Sequence, residues 1–233
     1  MRFLSFTAVF AVSLLLLISS GYAEQSSSNE SPTDLIWNGT WACSNHYFHL
    51  EQNPEGITGW YEPKNQNVTD TGLLDGSIDE TGMNYSGIWT ESGTVNLTLS
   101  PDNASYSGIA TTNPLGTMTE PAVHTADATR IGDVTDPENL WTGEWETPRK
   151  VYTYLQNGST ITGFNTLMPG VMDQPGTFEG TVSEDGRTII GNWTETGTFN
   201  FTMTDGYSAF NATYHETLDP KANSSFMIAK KLT

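Results

Sequence analysis

The chain is poor in cysteine, in basic residues and in long apolar runs. Of its 233 residues, one is Cys, nine are Lys or Arg and 27 are Asp or Glu, so the formal net charge is −18. A single cysteine excludes a disulfide framework and a zinc site built from several thiolates. The scarcity of basic side chains argues against nucleic acid as a partner, since such binding needs a basic surface. Aromatic residues are plentiful, which argues against a disordered acidic tail.

The one long apolar run lies at the N-terminus. Met1 and Arg2 precede the run 3–18, and small residues at 21 and 23 follow it. This pattern is typical of a signal peptide over 1–23. The run is short for a membrane span of about 20 residues, and an uncleaved anchor is the alternative. We therefore expect an exported protein, extracellular or at the cell surface, with no membrane span after cleavage.

Asparagine is concentrated in glycosylation sequons. Eleven of the 17 asparagines occur in Asn-x-Ser/Thr, which favours N-glycosylation in an archaeal or eukaryotic host, although Thr-rich strands also create sequons by accident. The sequons are at Asn29, Asn38, Asn67, Asn84, Asn96, Asn103, Asn157, Asn192, Asn200, Asn211 and Asn223.

The sequence repeats itself with an offset of 104 residues. The offset aligns 37–41 (WNGTW) with 141–145 (WTGEW), and 87–94 (GIWTESGT) with 191–198 (GNWTETGT). No gap is needed between 37 and 108, and 20 of those 72 positions are identical. This pattern indicates a tandem duplication.

The duplication suggests a domain organisation. We expect a polar lead-in over 24–34, a first β repeat over 35–131, a junction over 132–138 and a second β repeat over 139–233. Each repeat has short segments rich in β-branched and aromatic residues, separated by Gly, Asn, Asp and Pro, and no helical periodicity. The prediction is an all-β protein with two antiparallel meanders, each like an up-and-down barrel. The strands predicted in the first repeat are 36–42, 46–52, 56–61, 72–79, 83–91, 94–100, 104–111 and 124–131.

Alternation along the predicted strands assigns their faces. A glycan cannot enter a core, so the sequon asparagines belong outside and their alternate neighbours inside. The expected outward residues are Asn84, Asn96, Asn192, Asn200 and Asn211, and the expected buried ones include Trp41, Trp89, Trp145 and Trp193. The repeated Gly-x-Trp spacing predicts that a glycine leaves room for an indole from a neighbouring strand.

Three short motifs carry a resemblance to known proteins. The segments 39–41 (GTW), 57–61 (ITGWY) and 86–89 (SGIW) resemble the opening pattern of avidin-type, lipocalin-like barrels. They also resemble exported, mostly archaeal β-repeat proteins of unknown function with a W-G-x-W, T-G-x-Y and G-x-W module. The avidin resemblance implies a barrel and places Tyr61 where that family has a ligand-contacting tyrosine. Pro63 replaces the family's serine, and the Asn-rich loop is absent, so biotin binding is not implied.

Catalytic and metal-binding patterns are weak. His46 and His49 lie three apart on a predicted strand and therefore point to opposite faces, so we expect surface or turn histidines and no metal or other cofactor. The acidic turns 75–76, 79–82 and 184–186 have the oxygen ligands of a calcium site, but Asp and Gly are also ordinary turn residues. Cys43 aligns with a threonine, and we expect it to be buried, with an exposed, dimerising thiol as the alternative.

Two carboxylates occupy matching positions in the repeats. Glu91 and Glu195 suggest the acid and base of a glycosidase. The alternative is that each glutamate ends a strand beside a turn, in a different barrel. No nucleophile motif accompanies them, so we expect no enzyme activity.

Inward aromatic residues are the remaining candidates for function. One set, expected in the first barrel, contains Trp41, Phe48, Tyr61, Tyr85, Trp89 and Tyr106. The other set, expected in the second barrel, contains Trp145, Tyr152, Tyr154, Trp193, Phe210 and Tyr214. Such rings either fill a core or line a pocket for a small molecule or sugar. The candidate ligand-binding residues are Trp41, Phe48, Tyr61, Tyr85, Trp89, Trp145, Tyr154, Trp193 and Phe210.

The composition and motifs leave three function classes. We expect a non-enzymatic β protein with an envelope or adhesion role, whose partners include cell-envelope components. The alternatives are a soluble binder of a small apolar molecule or sugar, and a hydrolase or an enzyme inhibitor.

Overall fold

The computed structural model describes residues 35–53, 56–65, 70–116, 118–171, 173–217 and 224–232. These ranges hold fifteen antiparallel strands and no helix, so the all-β prediction is confirmed, and none of them contains a helix that could cross a membrane. The strands are β1 Gly39–Ala42, β2 His46–Asn53, β3 Gly56–Pro63, β4 Gly72–Ile78, β5 Asn84–Leu99, β6 Ser105–Thr112, β7 Ala122–Thr125, β8 Ala128–Ile131, β9 Gly143–Glu146, β10 Lys150–Asn157, β11 Thr160–Leu167, β12 Gly176–Val182, β13 Thr188–Met203, β14 Ala209–His215 and β15 Ser224–Lys231. The expected signal peptide and lead-in, and the sequons at Asn29, Asn67 and Asn223, lie outside these ranges.

Strand positions recur with the 104-residue offset. The bounds of β1 to β5 become those of β9 to β13 when 104 is added to each. Hydrogen bonds recur in the same way. The Trp37 indole donates to the carbonyl oxygen of Gly82 over 3.0 Å, and the Trp141 indole donates to that of Gly186 over 3.1 Å.

The strands close into two rings of eight that share β5 and β13. The first ring contains β1 to β4, the first half of β5, the second half of β13, β14 and β15. The second ring contains β6, β8 to β12, the second half of β5 and the first half of β13. β5 and β13 pair with each other along their length, with Glu91 opposite Glu195. Each ring therefore takes strands from both halves of the sequence.

The continuity of β5 corrects the sequence prediction. We expected two strands, 83–91 and 94–100, with a turn between them, but the strand runs unbroken through Ser92 and Gly93. Gly93 lies opposite Trp193, and a Cβ atom there would approach Nε1 of the Trp193 indole to 2.5 Å. Gly197 similarly faces the Trp89 indole. Gly93 and Gly197 therefore make room for an indole from the neighbouring long strand. Gly87, the glycine of the Gly-x-Trp spacing, instead lies close to the backbone of β4.

Two hydrophobic cores follow the rings. The first contains Trp37, Trp41, Phe48, Leu50, Tyr85, Trp89, Phe199, Phe201 and Phe210, and the second contains Leu97, Tyr106, Trp141, Trp145, Tyr154, Ile161, Phe178 and Ile189. The placement of Tyr106 in the first barrel was wrong, because β6 closes the second ring and the Tyr106 ring centroid is 5.1 Å from that of Trp145. Phe210 and Tyr214 were placed wrongly for the matching reason, since β14 closes the first ring.

The predicted faces agree with the structure except at two residues. Asn96, Asn192, Asn200 and Asn211 are exposed, and Asn84 is half-buried. Trp41, Trp89 and Trp145 are buried as expected. Trp193 is only half-buried.

Candidate functional site

Polar side chains gather where the two rings meet. Glu91 and Glu195 are opposite each other halfway along the shared strands. The alternative, in which each glutamate ends a strand beside a turn in a separate barrel, was wrong. β5 continues beyond Glu91, β13 continues beyond Glu195, and the two strands pair with each other. This position brings the two carboxyl groups into one cluster with residues from both rings.

On the first-ring side, Glu91 belongs to a buried chain of hydrogen bonds. The Tyr61 hydroxyl donates to Oε1 of Glu91 over 2.6 Å, and Glu91 is also hydrogen-bonded to Asp70. Burial raises the pKa of Glu91 to about 10, and the neighbouring Asp70 carboxylate adds to the shift. Glu91 is therefore protonated at neutral pH and donates to Asp70.

His46 completes this chain. Its Nε2 lies 3.0 Å from Oδ2 of Asp70. Burial is the largest single influence and opposes the charge of both groups. Their hydrogen bond and mutual attraction, with further contributions from Cys43 at His46 and from Glu91 at Asp70, together outweigh it, so the pKa of His46 rises to about 9 and that of Asp70 falls to about 2. His46 is thus a cationic cavity residue, and the expectation of a surface or turn histidine was wrong.

The second-ring side uses different residues at equivalent positions. Lys150 takes the place of His46, and Asn165 takes the place of Tyr61. The ammonium group of Lys150 lies 2.6 Å from Oε1 of Glu195 and 3.4 Å from Oδ1 of Asp173. Burial raises the pKa of Glu195, and the charge of Lys150 opposes that rise. Arg149 also contacts Asp173, with Nε 3.1 Å from Oδ2.

The interiors of the rings differ in how completely they are filled. The first ring leaves a small cavity of about 80 Å³, whereas the second opens into a large cavity of about 1280 Å³. Tyr106, Tyr152, Tyr154 and Phe178 supply aromatic lining to the large cavity. Its residues come from inside the second ring, from the adjoining loops and from the polar cluster.

One pair of facing residues accounts for much of this difference. In the first ring Phe199 lies opposite Tyr214, and both line the small cavity. At the equivalent positions of the second ring Val95 lies opposite Ala110, and both line the large cavity. Two bulky side chains are thereby replaced by two small ones. Asn165 stands at the position equivalent to Tyr61, so the second cavity also lacks this aromatic side chain.

The predicted ligand-binding residues are divided among three environments. Phe48, Tyr61 and Trp89 line the small cavity, and Tyr154 and Trp193 line the large one. The other four are buried in the cores, outside the linings of both cavities: Trp41, Tyr85, Trp145 and Phe210. Val95, Ala110 and Asn165 were not predicted as site residues. A comparison of residue size at aligned positions of the two repeats would have revealed them.

Two buried oxygen atoms at the large cavity lack hydrogen-bond partners among the described residues. They are Oδ1 of Asn165 and Oε2 of Glu216, and both side chains line the cavity. A Cβ atom on Gly176 would lie 2.8 Å from Cγ of Glu195 and 3.2 Å from Nδ2 of Asn165, so these side chains meet over the glycine. Buried acceptors of this kind are costly unless a donor reaches them.

The other candidates from the sequence have local roles. His49 stacks on Trp60 with ring centroids 3.7 Å apart. The carboxylate of Asp79 accepts hydrogen bonds within its own turn. Cys43 is buried, as expected. Within the described ranges, no group of three or more His, Cys, Asp or Glu residues is arranged to hold a metal ion.

Comparison with known proteins found no matching family model, no matching curated protein and no matching solved structure.

Proposed function

We propose that this protein is an exported, non-enzymatic binding protein that holds a small, largely apolar molecule in the large cavity of the second ring. The observation that carries the proposal is the contrast between the two rings, since the first is packed and the second opens into a cavity of about 1280 Å³. Ligand pockets typically have volumes of about 300–1,000 Å³ and a mostly apolar lining. The cavity exceeds this range and combines aromatic with charged side chains, so it has room for a small molecule and favours ligand binding over a purely adhesive role.

The hydrogen bonds of the two central glutamates argue against hydrolysis. A glycosidase needs one carboxyl group to protonate the leaving group and another to act as base or nucleophile. Glu91 is bonded to Tyr61 and Asp70, and Glu195 is bonded to Lys150. Their internal partners therefore compete with a substrate for both carboxyl groups.

The test fills the large cavity with the side chains that fill the first ring. The variant Val95→Phe/Ala110→Tyr copies the Phe199–Tyr214 pair. The matched control, Thr94→Phe/Ile109→Tyr, adds the same side chains to outward-facing positions of the same two strands. The probe is N-phenyl-1-naphthylamine, a neutral apolar fluorophore that brightens when it leaves water.

We expect saturable binding of one probe to the wild type and to the control, and at least about tenfold weaker binding to the filled variant, a loss of about 1.4 kcal/mol. Unchanged affinity of a folded filled variant would exclude the large cavity as the site. Absence of saturable binding to the wild type would contradict the proposed function itself.

A further inference from the structure

The two unpartnered oxygens indicate which groups a ligand must present. Asn165 is only 8% exposed, and its Oδ1 accepts no hydrogen bond from the described residues. Glu216 has Gln174 as a hydrogen-bond partner, but its Oε2 is buried and receives none within the same ranges. Both side chains line the large cavity, and Glu216 also lines the small one where the two rings meet. A ligand that satisfies them must carry hydrogen-bond donors.

The charges around the cavity indicate the sign of the ligand. Six carboxyl groups line the cavity, together with the cations of Arg149 and Lys150. Four of the carboxyl groups are compensated, namely Asp70 by His46, Glu91 by its own proton, and Glu195 and Asp173 by Lys150 and Arg149.

The remaining two carboxyl groups are those of Asp127 and Glu216. Among the described residues, Oε2 of Glu216 is buried without a hydrogen-bond partner, whereas neither carboxylate oxygen of Asp127 is in that situation. Burial raises the pKa of Glu216, and a bound cation would oppose that rise. Glu216 is therefore the carboxyl group that gains most from a positive charge in the cavity.

We infer that the ligand carries a protonated amine on an apolar or aromatic body, and that Glu216 and Asn165 accept hydrogen bonds from its donors. Aromatic side chains, among them Tyr154, Phe178 and Trp193, line the large cavity, and aromatic rings attract cations as well as apolar groups. The net charge of −18 attracts cations toward the molecule. This inference rests on the proposed function, because it identifies the ligand class of the same cavity.

The experiment compares three ligands that share one ring system. The compounds 1-naphthylmethylamine, 1-naphthalenemethanol and 1-naphthoate compete with N-phenyl-1-naphthylamine for the wild type, for Glu216→Gln and for Glu179→Gln. Glu179 is exposed on β12, so its variant matches the charge change away from the cavity. The Gln side chain at 216 preserves shape but removes the counter-charge.

We expect the amine to bind the wild type about tenfold more tightly than the alcohol, with the carboxylate weakest, as one charged hydrogen bond would give. Glu216→Gln should remove the preference for the amine over the alcohol, whereas Glu179→Gln should keep that preference. The amine assignment would be overturned if the alcohol bound as tightly as the amine, or if the preference for the amine survived in Glu216→Gln. Saturable probe binding in the same experiment would still support the large cavity as the ligand site. Failure of all probe binding would instead refute the proposed function.

Discussion

Glu91 is a buried side chain at the point where the two rings meet. It lies in the middle of β5, where it is 6% exposed, and it retains its proton because burial and the Asp70 carboxylate both disfavour its charge. Its hydrogen bonds link Tyr61 of β3 to the segment that precedes β4. Protonation therefore keeps this junction free of an uncompensated negative charge.

The raised pKa of Glu91 predicts how stability depends on pH. Between pH 4.5 and about 10, the folded protein holds a proton that the unfolded chain has released, so this group makes the free energy of unfolding fall as pH rises. The slope is about 1.4 kcal/mol per pH unit for one full proton. His46 acts in the same direction between pH 6.5 and about 9. Asp70 acts in the opposite direction, between pH about 2 and 3.8.

The variant Glu91→Gln isolates this contribution. Gln keeps an acceptor for Tyr61 and a donor for Asp70 but does not titrate. Urea unfolding at pH 5 and pH 8 should show a smaller loss of stability for Glu91→Gln than for the wild type, by on the order of 1 kcal/mol per pH unit. The exposed control Glu179→Gln should behave like the wild type. The same pH dependence in wild type and Glu91→Gln would mean that Glu91 is ionised in the folded state.

At the scale of strands, the two rings are interlocked. β6 and β8 close the second ring, whereas β14 and β15 close the first. The long strands β5 and β13 belong to both rings and pair with each other throughout. Because each half of the sequence completes the ring begun by the other half, neither ring is complete within one half.

Cleavage between the halves tests this exchange of strands. A site-specific protease sequence inserted in the junction 132–138 should allow complete cutting, since its residues are mostly exposed. We expect the two fragments to elute together at the size of the intact chain and to separate only in denaturant. The uncut insertion variant is the control. Separation into two folded fragments under native conditions would show that each half closes a ring alone.

Local patterns predict the strands well but not their partners. The offset of 104 residues relates the bounds of β9 to β13 to those of β1 to β5, because turn residues and alternation act over a few positions. The turn expected at 92–93 was wrong, since the glycine there serves an indole on another strand. Pairing of β5 with β13 is a contact between distant residues, and period-2 alternation specifies the face of a strand without naming its neighbour.

The candidate site was predictable only in part for a related reason. The aromatic character of the interior was evident from inward positions such as Tyr154. Whether aromatic rings fill a space depends on what lies opposite them, and that required the pairing of Val95 with Ala110. The chain from Tyr61 through Glu91 to Asp70 likewise joins residues whose proximity no local spacing encodes.

At the scale of the whole molecule, the two rings differ in how their interiors are filled. The first ring is packed with aromatic side chains and leaves about 80 Å³ empty, so it stabilises the shared strands. The second ring has small residues where the first has bulky ones, which leaves room for a ligand beside the polar cluster. A ligand that binds in this cavity of the folded protein would raise the free energy of unfolding.

The position of a bound probe tests most directly whether the second ring is the hollow, ligand-binding one. Crystals of the protein grown with N-phenyl-1-naphthylamine should show, by X-ray diffraction, one probe molecule inside the second ring, in contact with Tyr106, Tyr154 and Phe178. The first ring should contain none, because Phe199 and Tyr214 occupy the equivalent space. Density for the probe in the first ring or only on the outer surface, or an empty second ring at saturating probe, would contradict this assignment of the two rings.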